Sequence, residues 1–438
     1  AQGTNIVHDW NTAYMDTIRL EGGAPTPVSR VGAMLFTSIY DTVMAVERTH
    51  IPYHVKMPKP GPDVSMDLAA SKAAHTVLSS LFPQYSAMYD DVLNNSLRHA
   101  SSPAQRNASF MLGEHVANQI IALRANDGHD GPMDYTPGTN PGDWRPTPPD
   151  FEMSPFTPKW GKVTPWAMTS GDQFRPNGVM GYTNMADLLA SQEYTDAFNE
   201  VKELGSKNSA TRTAEQTQIG FFWANDVDGT YKPPGQKSNI TGEIAVQAGL
   251  NTAETARLFA MTSVAMADAG VAAWDAKYLT DIDLWRPITG IREADTDGNP
   301  NTIADPTWEA LNPFSPPFPA WVSGHATFGA AHVAALIAFF GQDGIGQTMT
   351  ITTEDPFYLE LGVGNSREYE DFTTMALENW RSRIYIGVHW DFDGLEGNLM
   401  GTAIGEWVAA NYFGIIPAPG SALLLGLGGL AAARRRRA

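Results

Sequence analysis

The sequence predicts an all-α protein made of helical bundles joined by long Pro- and Gly-rich connecting loops. Three observations carry this. Apolar residues recur at intervals of three and four through most of the chain. No run shows the strict alternation of a half-buried strand, and no internal repeat is present. Two segments dense in Pro, Gly, Trp and Asp interrupt the helical pattern and are too aromatic to be flexible linkers. Many of the helices are rich in alanine, which permits close packing of several layers.

The elements follow in order. Val28, Val31, Leu35, Ile39, Val43 and Val46 share one helix face, and Pro27 stands near the start. Similar patterns run from about Met66 to Leu81, Tyr89 to Leu97 and Ala104 to Leu123. Residues 1–130 are therefore expected to form an N-terminal helical bundle region. The pattern stops from Asp127 to about Pro176, where Trp144, Trp160 and Trp166 need somewhere to bury. Residues 131–183 are accordingly expected to wrap the core as a loop. Helical patterns return from Asn184 to Leu204 and from Thr213 to Trp223. The strongest runs from Thr252 to Trp274, where Ala256, Phe259, Ala260, Val264, Ala267, Val271 and Trp274 form one stripe. After a second loop, Asp295 to Pro319, a helix opens near Ser323 and runs to Phe340; two more start near Asp371 and Leu395. Residues 184–413 are expected to form a C-terminal bundle.

Composition limits the function. The chain has 438 residues, 43% apolar and 18% charged, which excludes wholesale disorder. It contains no cysteine, which excludes disulfides, thiolate zinc sites, iron–sulfur clusters and a cysteine nucleophile. A net charge of −19 argues against nucleic acid as a partner. An anion would need locally concentrated positive charge. The chain starts at Ala1-Gln2, as expected of a mature form after signal-peptide removal. Residues 414–438 read as a sorting or anchor tail: Ile416-Pro417-Ala418-Pro419-Gly420, an apolar run from Ala422 to Ala433, then Arg434 to Arg437. Counted from Gly414, the stretch just reaches across a bilayer, with the arginines on the cytoplasmic side. It resembles the bacterial PEP-CTERM sorting tail, with Pro-Ala-Pro where that family has Pro-Glu-Pro. An exported protein, extracellular or at the cell surface, is the expectation, its tail engaging membrane or sorting machinery.

Three segments hold the chemistry: Trp285-Arg286-Pro287, Pro316 to His325, and Ser382 to Trp390. Singly, each has an ordinary reading as a helix end or a cap. Together they suggest an oxyanion cradle. Arg286 and Arg383 offer planar forks that match tetrahedral oxyanions. Ser323 and the Gly324 N–H stand at an expected helix N-terminus, where free N–H groups and the dipole favour an anion. His325 and His389 supply a proton donor and a neutral nitrogen ligand or nucleophile.

Arg-Pro, Ser-Gly-His and Ser-Arg-x5-His, in this order, resemble the signature shared by vanadium-dependent haloperoxidases and type-2 phosphatidic acid phosphatases. The flanks Glu254 to Trp274, Pro316 to Phe328 and Ser382 to Asp393 resemble the chloroperoxidase-like branch, as does Trp144-Arg145-Pro146. The resemblance extends over nearly the whole chain to Phe413. It implies vanadate as cofactor and oxidation of halide by hydrogen peroxide to hypohalous acid, with a small organic acceptor as an open partner. It implies that His389 binds vanadium, that Arg286, Arg383, Lys277, Ser323 and Gly324 hold the vanadate oxygens, and that His325 handles the peroxide proton. Asp226 resembles the carboxylate that holds the metal-ligating histidine. Trp274 and Phe318 match aromatic residues on the halide side of the pocket, and Phe318 resembles the chloride-oxidising type.

One spacing departs from the family. Lys277 precedes Arg286 by nine residues where the family has seven. On a continuous helix nine steps land on the opposite face, so Lys277 reaches the same anion only if the helix breaks between them. Thr280 to Asp283 is a candidate for an N-cap that restarts it. Arg383 and His389, six apart, need Gly387 to end their helix and turn His389 inward. Asp295 to Asn301 carries oxygen ligands at alternate positions, a pattern calcium loops share, although a plain turn is the better reading. His332 reads best as a satisfied core histidine. Two rivals remain: a phosphatase using the same cradle with a phospho-histidine intermediate, and a non-catalytic surface protein retaining the fold.

Overall fold

The helices begin and end where local chemistry says they should. In a computed structural model, which describes residues 3–416, α1 spans Ile6–Glu21, α2 Pro25–Glu47, α3 Met66–Leu81, α4 Ser86–Ser96 and α5 Pro103–Arg124. Proline opens α2 and α5, where its missing N–H costs nothing. Then come α6 Met185–Leu189, α7 Gln192–Leu204, α8 Ala214–Phe222, α9 Lys232–Gln247, α10 Thr252–Tyr278, α11 Pro287–Arg292 and α12 Gly324–Phe340. The last part holds β1 Met349–Thr352, α13 Pro356–Glu360, β2 Ser366–Tyr369, α14 Phe372–Tyr385 and α15 Asp391–Asn411. The sorting tail read from the sequence lies, from Pro417 onward, outside the described residues. Among the described residues no helix is long and apolar enough to cross a membrane.

The all-α expectation holds, with corrections. The segment expected as one helix from Asn184 to Leu204 is two, because the Ser191 hydroxyl accepts from the Tyr194 N–H at 3.1 Å and caps a new start. No helix restarts at Thr280; the chain bends there and then runs without a turn from Ile282 to Arg286, with Trp144 N–H on the Asp283 carbonyl at 2.6 Å and Trp285 N–H on that of Gly142 at 2.7 Å. The last helix starts at Asp391, with Asp391 and Asp393 in its first turn, not near Leu395. The sequence shows neither α9 nor the antiparallel β1–β2 pair, in which Met349 faces Tyr369. The loop with alternating oxygen ligands is a set of turns. Asp297 accepts from the Asn299 N–H at 2.7 Å and the Thr302 hydroxyl at 2.7 Å, and Asn299 accepts from the Asn301 N–H at 2.9 Å. These hydrogen bonds are those of a plain turn, the better reading of the sequence.

Helix α10 is the axis of the molecule. From Thr255 to Tyr278 nearly every side chain is buried, because α2 and α12 pack on it and α15 packs on both α10 and α12. N- and C-terminal helices thus share one core, in which Leu35 and Phe36 lie in the same cluster as Phe259, Val264 and Ile404. The wrapping segment is pinned to α10. Buried Asp268 accepts from the N–H groups of Trp166, Ala167 and Met168 at 2.6, 2.8 and 2.8 Å. Arg175 holds Asp275 at 2.5 Å, and Trp144, Trp160 and Trp166 are all buried.

The contact between α12 and α15 is unusually close. Gly397, Gly401 and Gly405 repeat every fourth residue along α15, so they share one face. A Cβ at Gly401 would stand 2.3 Å from the Thr327 carbonyl oxygen, and one at Gly397 2.8 Å from that of Ser323. The approach lets the Ser323 N–H donate to the Asp393 carbonyl at 2.9 Å. Gly401→Ala is therefore expected to force the helices apart and lower unfolding stability by about 1–3 kcal/mol. Denaturant unfolding measures it, and an unchanged midpoint would show that the contact is slack.

Candidate active site

The C-terminal ends of α10 and α14, the N-terminal end of α12 and the loops around them bring seven of the sequence-predicted residues onto one small cavity: Asp226, Trp274, Phe318, Gly324, His325, Arg383 and His389. Lys277, Arg286 and Ser323 adjoin it. Ser323 is the N-cap of α12 and accepts from the Ala326 N–H at 3.3 Å. Gly324 is the first residue of that helix, so its N–H has no acceptor within the helix. A side chain there would meet the Trp274 ring at 3.0 Å, which keeps the backbone accessible only for glycine.

His389 is aimed by three groups. Helix α14 ends at Tyr385, and Gly387 takes φ +80°, a left-handed turn that swings the chain inward as expected. His389 Nε2 lies 2.9 Å from Arg286 Nη1, and Nδ1 lies 3.0 Å from Asp393 Oδ2. A guanidinium only donates, so Nε2 is the acceptor and the ring proton is on Nδ1, donated to Asp393. Asp393 also accepts from the Trp390 N–H at 3.0 Å. Burial, then the cations Arg286, Lys277 and Arg383, hold the His389 pKa well below its ordinary value. The ring is neutral and presents a lone pair among positive charges.

Those charges are buried and only partly spent. Arg286 donates from Nε to the Phe318 carbonyl at 2.8 Å and from Nη1 to that of Val388 at 2.8 Å. Among the described residues its Nη2 has no partner, nor have Nε and Nη1 of Arg383. Lys277 is fully enclosed, despite its shifted spacing. Helix α10 ends one residue later, at Tyr278, and this break turns Lys277 toward Arg286. Its Nζ donates to the Pro319 and Ala320 carbonyls at 2.6 and 3.0 Å, leaving one N–H. Burial and Arg286 hold its pKa well below the ordinary lysine value, and Asp393 opposes them. The Phe318 ring underlies both cations, at 4.9 Å from Lys277 and 4.8 Å from Arg286. Trp274 packs on Phe318 at 5.0 Å and donates to the Phe156 carbonyl at 2.9 Å, so the wrapping segment forms part of the wall.

Asp226 requires a correction. The carboxylate that holds His389 is Asp393, one helical turn later; Asp226 instead binds Arg383, Oδ2 to Nη2, at 2.7 Å. The cause is local. Asn225, in the left-handed region at φ +50°, is held by Asp355 at 2.9 Å and Thr353 at 3.1 Å, and this turn delivers Asp226 to the guanidinium. The His389–Asp393 spacing of four was the signal that sequence reasoning missed. His325 donates from Nε2 to the Trp223 carbonyl, which leaves Nδ1 with the lone pair. Burial, then Arg383 and Lys237, lower its pKa. His332 lies away from the cradle, 2.9 Å from the Thr241 hydroxyl, a satisfied core residue.

A wider cavity of about 480 Å³ opens outward and shares Pro25, Asp226, Pro233, Pro316 and Phe318 with the inner one. Asp150, Glu152 and Asp228 also line it, with Lys232 bound to Asp228 at 2.5 Å.

Comparison with known proteins gives this geometry a family. Residues 257–416 match the model described as the VCPO second helical-bundle domain. The chain is 30% identical over 494 residues to the vanadium chloroperoxidase of Curvularia inaequalis, covering 89% of this chain and 79% of that protein. The chain belongs to the vanadium haloperoxidase family. It is an enzyme of that class. The vanadium-dependent bromoperoxidase of Ascophyllum nodosum is 28% identical over 135 residues, covering 30% of this chain and 24% of that protein. The fold of this haloperoxidase matches a bacterial vanadium-dependent iodoperoxidase with TM-score 0.79 and 24% identity, over 95% of this chain and 99% of the other. It also matches a holo-type bacterial vanadium-dependent chloroperoxidase with TM-score 0.71 and 15% identity, over 93% of this chain and 97% of the other.

Asp226→Ala leaves Arg383 without its carboxylate and is expected to cost about 3 kcal/mol of unfolding stability. Saturating phosphate, a tetrahedral anion, is expected to restore part of that loss. Unfolding curves with and without phosphate check both, and an unchanged midpoint without phosphate would show that the pair contributes nothing.

Proposed function

We propose that this haloperoxidase holds vanadate at the cradle and uses hydrogen peroxide to oxidise halide, giving hypohalous acid and water with uptake of one proton. One observation carries the reading: the neutral His389 ring, whose Nε2 accepts only from Arg286 among the described residues, stands in a buried site beside N–H groups of Arg286 and Arg383 that have no partner among them. This donor set fits a tetrahedral metal oxyanion, which needs one neutral nitrogen ligand and N–H donors for its oxygens. Lys277, Ser323 and the Gly324 N–H complete the donors. Vanadate, when bound, supplies Lewis acidity toward peroxide without changing its redox state. The residues do the rest. Asp393 keeps His389 in the ligating tautomer. Arg286, Arg383 and Lys277 stabilise negative charge that develops on the oxygens. His325, with Nε2–H fixed on Trp223, accepts the peroxide proton at Nδ1 and returns it to the departing oxygen. Trp274 and Phe318 exclude water beside the halide, and Phe318 supports chloride among the halides accepted. The composition of the tail supports export to the cell surface or beyond.

The test strips the protein with chelator and assays it with peroxide and chloride, bromide or iodide, with and without orthovanadate. Halogenation of an activated phenol is expected only with vanadate, and excess phosphate is expected to suppress it. Orthovanadate at about 100 times its Kd is expected to stabilise the fold by about 2.7 kcal/mol, and His389→Ala to lose both effects. Hydrolysis of a phosphate ester without halide oxidation would replace this reading with the phosphatase. Silence in both assays would leave a non-catalytic protein.

A further inference from the structure

Outside the cradle, α9 carries a lysine that the reaction as described does not use. Lys237 is 2% exposed, and among the described residues no carboxylate forms an ion pair with it. Burial, then Arg383, hold its pKa well below the ordinary lysine value, and Asp226 opposes them, so the buried amine is kept by the contacts that its N–H groups make. Its Nζ donates to Asn379 Oδ1 at 2.9 Å and to Gln236 Oε1 at 3.1 Å, and lies 4.5 Å from the centre of the Trp223 ring.

Each contact leads to a group that holds His325. Asn379 Nδ2 donates to the His325 carbonyl at 2.8 Å. Gln236 Nε2 donates to the Phe222 carbonyl at 2.7 Å, fixing the turn whose next residue is Trp223. The Trp223 carbonyl accepts from His325 Nε2. The two contacts of Asn379 also settle which way that amide points, because a flipped amide would set its oxygen against the His325 carbonyl. Gly329 of α12 makes the room, since a Cβ there would stand 2.2 Å from Asn379 Nδ2.

We infer that Lys237 is a positioning residue for His325, holding backbone and ring through Asn379 and Trp223 so that Nε2 carries the proton and Nδ1 presents the lone pair. The inference rests on the reading that His325 moves the peroxide proton. It explains why a lysine is kept in a dry interior behind His325.

The test uses the full chain, free and loaded with orthovanadate. Lys237→Met removes the amine. Asn379→Asp keeps an oxygen toward Lys237, with which it forms an ion pair, but has no N–H for the His325 carbonyl. Each variant is expected to lower kcat roughly 10–100-fold, the usual effect of losing a group that orients a reactive residue, with affinity for orthovanadate unchanged. The double variant is expected to be no worse than the poorer single one, because both cut the same chain of contacts. In ¹⁵N-histidine spectra of the vanadate-free protein, His325 is expected as the Nε2–H tautomer in the parent and as a mixture in Lys237→Met. Unchanged kcat and tautomer in folded Lys237→Met would overturn the inference. If that variant does not fold, unchanged kcat in Asn379→Asp would overturn it. An inactive parent would sink the functional reading, whereas the tautomer would still decide the role of Lys237.

Discussion

Positive charge gathered in a dry interior is the constraint around which this molecule is arranged. Lys277, Arg286 and Arg383 are all buried, and like charges at close range inside a protein repel by a few kcal/mol per pair at an effective dielectric of about 20. Two carboxylates offset them, Asp226 on Arg383 and Asp393 through His389. Backbone carbonyls take much of the remaining load. One stretch, Phe318 to Ala320, accepts from both Lys277 and Arg286. Arg383 lines the same cavity as the His389 ring and Arg286 touches that ring, so the residual charge gathers around one imidazole.

Holding those groups together requires helices that approach closely and end on time. The break after Tyr278 brings Lys277 to the carbonyls of the following loop. The glycine face of α15 brings Asp393 beside Ser323, linking the second-motif helix to the third-motif histidine through one backbone hydrogen bond. The β1–β2 pair serves the same end indirectly. It leads into Thr353 and Asp355, which hold Asn225, which aims Asp226.

The parts of the site legible in the sequence were those governed by local rules. Ser323 and Gly324 announce a helix start, Gly387 announces a stop, and both hold. The shift of Lys277 was legible as a geometric demand for a helix break, and the break is present. What escaped depends on neighbours distant in the chain. Helix α9 is buried on nearly every side and opens with two prolines and a glycine, so it shows no amphipathic period. The partner of Asp226 was misassigned because an aspartate in a loop can reach whichever cation the turn before it faces, and that turn is set by residues 130 positions away. Strands of four residues are too short to alternate convincingly.

The outer cavity has one more consequence. Its lining carries Asp150, Glu152 and Asp228, the last bound by Lys232, while Asp226 on the same wall is paired with Arg383, in a chain of net charge −19. An anion moving inward must climb a negative potential before it meets the positive cradle, while uncharged hydrogen peroxide feels no such slope. The mouth therefore acts as a charge sieve in series with an anion trap. Dissolved salt, which screens exposed charges beyond about 8 Å at physiological strength, lowers the outer barrier more than it weakens the buried trap. The ionic strength of the surroundings thus bears on the entry of an anion and leaves that of an uncharged molecule untouched.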